Sequence, residues 1–283
     1  MGTSTRYTGP SRNPLLPDDF NDSSTPDNEA PQETGEDNSN GQDDLNNNET
    51  ANNQQSSNNV DSEWTAAKTN MSKYASGSSS NYKNAVSSYV KAYGGARNAA
   101  KSASSGVRST VSFGQFLNNT SSQGIRETLS SYKIDYEGRS AKDILTDVIN
   151  KIAPIPITKE DSVARKALIR TMETLYEKIE DENKDISTLE KIDSNLLNEM
   201  IPIQIESYIY ERIINDLGSR IEENSSSPFE AINKEKELQE YIHSKVDTTL
   251  QQKDFTQIII NENASRDVES LYQQCYKVME DML

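Results

Sequence analysis

The chain contains one histidine, His243, and one cysteine, Cys275. Nucleophilic catalysis of the Ser–His or Cys–His kind needs a base within reach of the nucleophile. His243 lies in YIHSKV, on a helical pattern whose apolar side already holds Tyr241 and Ile242, so it reads as a helix-surface histidine. Cys275 falls on the apolar stripe of the last helical pattern and reads as a buried small hydrophobe. One thiol excludes an intramolecular disulfide and removes the usual Cys/His clusters of zinc sites. Carboxylates are abundant, but neither IEDENKDIS nor NNETANN supplies D-x-[DN]-x-[DN]-G with a late glutamate. No G-x-x-x-x-G-K-[ST] loop occurs, and Gly94-Gly95 lacks the strand-then-helix context of a dinucleotide site. No catalytic, cofactor-binding or metal-ligating residue is assigned, and the chain is not expected to be an enzyme. Weight moves to binding, scaffolding or being a substrate.

The start, MGTSTRYTGPSRNPLLPDDF, carries a different kind of chemistry. Met1 precedes a small residue, Gly2, so its removal would expose an α-amino group. Such a group has a reference pKa of about 7.7–8.0, against about 10.4 for lysine, so far more of it is a free-base nucleophile at neutral pH. Glycine also lets the nitrogen enter a narrow site, having no Cβ. Thr3, Ser4 and Thr5 offer hydroxyls for recognition and Tyr7 an aromatic anchor. Pro10, Pro14 and Pro17, with Leu15 and Leu16 between them, limit the entropy lost when the peptide is gripped. The myristoylation pattern M-G-x-x-x-[ST] is broken by Arg6.

The elements that would position these groups fall into segments of different charge. Only 33% of the 283 residues are hydrophobic and the net charge is −16, against about 45–50% apolar in an ordinary globular chain. Residues 1–20 form a recognition peptide. Residues 21–61, almost all Asn, Ser, Thr, Gln, Asp, Glu, Pro and Gly, read as a disordered acidic linker that cannot bury enough surface to offset its conformational entropy. From Trp64 to Arg126 there are eight bases and no acid. Two readings of this basic, small-residue-rich segment, 62–126, stay open. One is a short-side-chain helix packed on the body; the other is a basic surface, with Lys83, Lys91, Arg97, Lys101 and Arg108, that docks an acidic partner or phosphate. The spacing of Tyr82, Tyr89 and Tyr93 favours packing over stacking on nucleobases.

Residues 127–283 read as an acidic helical bundle. Ala141, Ile144, Leu145, Val148, Ile149 and Ile152 form an apolar stripe opened by Ser140 and Asp143 as a capping box and stopped by Pro154. Ala164, Leu168, Met172, Leu175 and Ile179 form a second, opened by Thr158 and Asp161. A short helix is expected in ISTLEKIDSNLLNEMI, with Pro202 opening a new one that uses Ile205, Ile209, Ile213 and Leu217. Ser227-Pro228-Phe229-Glu230 starts another, carrying Leu238, Tyr241, Ile242, Val246 and Leu250. Val268, Leu271, Tyr272, Cys275, Val278, Met279 and Met282 make the last. Only FTQIII, residues 255–260, could pass for a strand, and a single strand has nothing to pair with except a partner's sheet. The expected fold is all-α. No run of about twenty apolar residues and no signal-peptide layout is present, so the chain reads as cytoplasmic, with no membrane partner.

The start MGTSTRYTGPSRNPLLPDDF, the polar spacer, YKNAVSSYVKAYGGARNAAKSASSGVRS and the acidic helical body together resemble the QatB family of the bacterial Qat anti-phage defence systems. The likeness is specific over the first twenty residues and roughly Ser72 to Arg126, and one of helix pattern beyond. It implies a non-enzymatic subunit encoded beside an ATPase, a QueC-like enzyme and a TatD-like nuclease. QueC-like enzymes activate a carboxylated 7-deazaguanine with ATP for attack by an amine. The resemblance implies that this amine is a protein N-terminus, joining the base to Gly2 as a covalent modification, and that the QueC-like enzyme is the partner of the N-terminal peptide. A spacer of about forty residues would let the tip reach a pocket some 35 Å away by random-chain scaling. Two rivals remain: an unmodified scaffold that assembles the ATPase and nuclease, and a nucleic-acid module using the 64–126 segment. Given the overall charge, nucleic acid is not expected as the primary partner.

Overall fold

The computed structural model describes residues 48–79, 81–179 and 185–281, with side chains from residue 61 onward. Residues 1–20, expected as a recognition peptide, and most of the expected linker, 21–61, lie outside the described residues. Among the described residues twelve helices run α1 (Asn48–Ala75), α2 (Tyr82–Ala92), α3 (Ala96–Ser102), α4 (Ser104–Gln123), α5 (Ile125–Tyr132), α6 (Ala141–Ile152), α7 (Lys159–Ile179), α8 (Ile186–Leu189), α9 (Ser194–Asn224), α10 (Pro228–Leu250), α11 (Phe255–Ile260) and α12 (Ala264–Glu280). There is no strand among the described residues. The fold is all-α, and α1 begins inside the segment 21–61 that composition marks as a linker.

Local chemistry sets most boundaries. Ser140 Oγ accepts from the Asp143 amide at 3.2 Å. At α7 the capping box is reciprocal: the Asp161 amide donates to Thr158 Oγ1 and the Thr158 amide to Asp161 Oδ2, both at 3.1 Å. Each such cap stabilises its helix by about 1 kcal/mol. Ser227 caps α10 with Pro228 in its first turn, and Gly94 and Gly95, at φ +82° and +89°, turn the chain between α2 and α3. That conformation is open to glycine and strained for other residues.

Helix α9 is the axis of the body, packing against α1, α4, α7, α10 and α11. Ile205, Ile209, Ile213 and Leu217 recur every four residues and are fully buried. Pro202 does not open this helix, as its residue type suggests, but sits inside it, eight residues after its start at Ser194. A mid-helix proline costs about 3 kcal/mol or more. Each fully buried isoleucine contributes about 1.5–3 kcal/mol, so the packing of Ile201, Ile205 and Ile209 on either side outweighs that cost.

The FTQIII segment is helical as well. Asp254 caps it by accepting from the Gln257 amide at 3.2 Å, and the Phe255 amide donates to Asn198 Oδ1 at 2.9 Å. Phe255 and Ile259, four apart, are the buried pair. Along α12, Val268, Leu271, Tyr272, Cys275 and Met279 are buried, whereas Val278 is partly exposed and Tyr276 takes a place in the core. Met282 lies outside the described residues.

The small-residue helices pack as backbone contacts. A Cβ on Gly106 of α4 would stand 2.5 Å from the Tyr208 ring of α9, and one on Gly114 would meet Ile259 and Ile201. Helices α2 and α3 also rest on α12, where Ser87 Oγ donates to the Glu280 carbonyl at 2.8 Å and Glu280 Oε2 accepts from the Ala96 amide.

Candidate functional site

The residues proposed for the N-terminal site, Gly2, Thr3, Ser4, Thr5, Tyr7, Pro10, Leu15 and Leu16, lie outside the described residues. Of the five basic positions, the structure separates at least two. Lys83 lines a cleft between α2 and α10 with Tyr82, Glu237, Tyr241 and Lys245. Arg108 lines another, of about 420 Å³, beside Ile152, Ile155, Ile157 and Asp161. There Arg108 pairs with Asp161 at 3.2 Å, and Ser105 Oγ donates to the same carboxylate at 2.7 Å. The hydrogen bonds from Ser105 and Thr158 hold Asp161 below the usual carboxylate range. Lys91 is half-buried, and Arg97 and Lys101 are exposed.

Ile155 and Ile157 are 85% and 94% exposed. They flank Pro156 in a connection held at both ends. Arg165 donates to the Ala153 carbonyl and, at 2.6 Å, to Asn150 Oδ1, while the Thr158–Asp161 box holds the other side. Two large apolar side chains are thus presented to solvent on an anchored segment.

The most concentrated polar chemistry is one that sequence inspection passed over. Gln204, Tyr208, Arg212 and Asp216 recur every four residues on α9, beside the isoleucine stripe, and form a polar seam against α2, α3 and α4. Gln204 Nε2 reaches Ser109 Oγ at 3.4 Å. Arg212, 2% exposed, donates to the Ala99 carbonyl and Ser102 Oγ, both at 2.8 Å, and to Tyr276 OH at 3.3 Å. Its guanidinium carbon lies 4.1 Å from the Tyr93 ring centroid, and Nε stands 3.6 Å from Glu160 Oε2. Asp216 accepts from Tyr89 OH at 2.9 Å, Tyr93 OH at 2.8 Å and Lys159 Nζ at 2.7 Å. Burial opposes the charge on Arg212, but Tyr276, Tyr89, Tyr93 and Glu160 prevail and raise its pKa further. Burial likewise raises Glu160, and Arg212 offsets part of that rise. The guanidinium therefore stays charged, and the seam is a structural lock, not a proton relay.

His243 is tied down more closely than a plain surface histidine. Its Nδ1 lies 2.7 Å from Oε2 of Glu206, which is largely buried. The hydrogen bond that the imidazole donates to the Glu206 carboxylate raises its pKa against a smaller opposing effect of burial. Burial raises Glu206 too, since it disfavours the carboxylate. The pair borders a cleft with Lys178, Glu199, Asp247 and Lys253. Cys275 is fully buried, and burial pushes its thiol up to about 12. No group of three or more His, Cys, Asp and Glu placed to hold a metal ion occurs among the described residues. No helix among them is long and apolar enough to cross a membrane.

Taken together, fold and side chains define a class: an all-α body built on one central helix, with Arg212 and Cys275 buried in its packing and open clefts on its surface. Within that class the chain belongs to the QatB family, since the model of the Qat anti-phage system associated protein QatB matches residues 94–279. It is a component of the Qat anti-phage defence system, with partners in that system. The match covers most of the helical body, from Gly94 near the end of the α2–α3 turn, and leaves the first twenty residues outside. No curated protein and no solved structure matches the chain.

Proposed function

We propose that this chain is a non-catalytic subunit that binds a QueC-like enzyme through residues 1–20 and serves as its protein substrate. Removal of Met1 frees the α-amine of Gly2. Its lone pair attacks the carbonyl carbon of an ATP-activated 7-carboxy-7-deazaguanine. The C–N amide bond forms, the activating group leaves with the electrons of its bond to carbon, and the amine proton passes to solvent. Membership in the QatB family carries the reading, and the start Met1-Gly2-Thr3-Ser4-Thr5 supports it as an accessible, weakly basic nucleophile flanked by recognition hydroxyls. Intact mass spectrometry after expression with the full gene set tests it. The expected product is an N-terminal peptide lacking Met1 and carrying the base on Gly2; a peptide showing Met1 loss alone would sink the proposal.

An adaptor role, with the tip unmodified and the ATPase and nuclease assembled on the body, is the second reading. The anchored, exposed pair Ile155 and Ile157 favours it, because an isolated apolar knob of this kind suits a partner's pocket. Deleting residues 21–59 separates the two readings, since a body-held scaffold would still assemble while a tethered substrate would lose its reach.

A further inference from the structure

Helix α1 turns its buried side, Ala67, Met71, Tyr74 and Ala75, toward the body. Its opposite face repeats at helical spacing with a different chemistry, Thr65, Lys68, Thr69, Ser72 and Lys73, continued by Ser76 just past the helix end. These residues form one wall of a groove of about 400 Å³, and Arg220 and Asn224, from the last turns of α9, form the other. Every residue that lines the groove is polar, three are cationic and none is acidic. Lys68 and Lys73 make no ion pair among the described residues, and the hydroxyls of Thr69 and Ser72 make no hydrogen bond there. Lys68-Thr69 and Ser72-Lys73 are therefore two ammonium–hydroxyl pairs one helical turn, about 6 Å, apart along the axis. Arg220 faces them and has only a long contact, 3.7 Å, to the exposed Glu223.

We propose that this groove binds the sugar–phosphate backbone of a nucleic acid without reading its sequence. Lysine, arginine, serine, threonine and asparagine are the side chains that position phosphates. Two equivalent donor pairs in series fit successive phosphodiesters better than a single anion. A protein partner would be expected to bury an apolar core at its contact, and this groove offers none, whereas nucleic-acid contacts are polar and positively charged. No aromatic side chain lines the groove, so base stacking plays no part. The site is distinct from the N-terminal peptide and independent of the modification proposed above.

Fluorescence anisotropy of the full chain with a labelled, mixed-sequence single-stranded 20-mer, titrated across salt, tests the assignment. Binding at low salt is expected to weaken at least tenfold in K68A/K73A/R220A. The salt slope should fall by about 2, from three lost contacts at about 0.7 each. Thr69→Val with Ser72→Ala, which leaves the net charge unchanged, should weaken binding at least threefold. Lys142→Ala with Lys166→Ala, exposed lysines elsewhere, should leave it unchanged, with circular dichroism checking the fold throughout. Absence of binding at low salt, or equal binding by the triple variant, overturns the proposal. So does a hydroxyl double variant that binds like wild type, or displacement of the strand by polyglutamate as effectively as by unlabelled strand at equal charge.

Discussion

Gly106→Ala asks whether the close approach of α4 to α9 is a requirement of the fold. The added Cβ would stand 2.5, 2.6 and 2.7 Å from Cε2, Cζ and Cδ2 of Tyr208. Carbon atoms pack best at about 3.5–4.0 Å, so a shift of roughly 1 Å is needed. The ring has little room to make it. Tyr208 is fully buried and stands edge-on to Tyr272, centroid to centroid 5.3 Å at 84°. Tyr272 OH is in turn hydrogen-bonded at 2.9 Å to Thr110, one turn further along α4. Overpacking of this kind costs about 1–3 kcal/mol, and alanine recovers at most about 1 kcal/mol of helix propensity over glycine. The expected net loss is about 1–2 kcal/mol, read as a lower urea midpoint at unchanged m-value. Gly114→Ala is the internal comparison, because the atoms it meets, Cδ1 and Cγ1 of Ile259 at 2.5 and 2.7 Å and Cδ1 of Ile201 at 3.1 Å, belong to aliphatic chains that can adjust a rotamer where a tyrosine ring cannot. Its loss should be smaller than that of Gly106→Ala. In a Tyr208→Leu background the alanine at 106 should become neutral or stabilising, a coupling within the 0.5–3 kcal/mol or so seen for residues in contact. A stabilised Gly106→Ala protein, or an equal loss with and without the Tyr208 ring, would refute the packing argument.

Two further perturbations address the charged groups. His243 supplies the only imidazole signal of the chain, so an NMR titration should place its pKa above the usual 6.5, and Glu206→Gln should bring it back. Both His243 and Glu206 bind protons more tightly in the folded state, so the stability they contribute is present below their unfolded values and is lost as pH rises through the folded ones. With the imidazole 62% exposed, the effect on stability should stay at or below about 1 kcal/mol, and a wild-type pKa at or below 6.5 would contradict the pairing. Arg212→Met removes three hydrogen bonds and leaves Glu160 without its cation. The expected cost is about 3–5 kcal/mol in urea unfolding, partly recovered by Glu160→Gln in the same chain, and a change under about 0.5 kcal/mol would show that the seam is not a lock.

What could be read ahead of the structure was local. The Ser140–Asp143, Thr158–Asp161 and Ser227–Glu230 starts, the Gly94-Gly95 break and the stripes of α6, α7 and α10 depend on side chains within a few turns of one another. Pro202 and FTQIII were ambiguous because their outcome is decided at a distance. Burial of the isoleucines around Pro202 carries the helix through it, and Gly114 and Asn198 accommodate α11. The polar seam has a visible spacing of four, yet its residues look like the solvent side of an amphipathic helix until α2, α3 and α4 are known to cover that side. Glu206 and His243 are 37 positions apart, with no local pattern connecting them. Of the candidate site, the basic positions could be named but not located, since charge says nothing about which helix face will meet which neighbour.

The docking of α2 and α3 onto α12 carries a consequence for synthesis. The segment up to Ser102 leaves the ribosome long before Glu280, whose carbonyl and carboxylate receive Ser87 and Ala96, and before α9, whose Arg212 holds Ala99 and Ser102. At about 5–20 residues per second, the interval between the end of α3 and the end of α12 is on the order of 10–40 s. During that time the early helices are without their final neighbours. Their abundance of alanine, serine and lysine, in place of leucine and isoleucine, keeps such a waiting chain dispersed in water, and the price is a dependence on buried polar bonds once the last helix arrives.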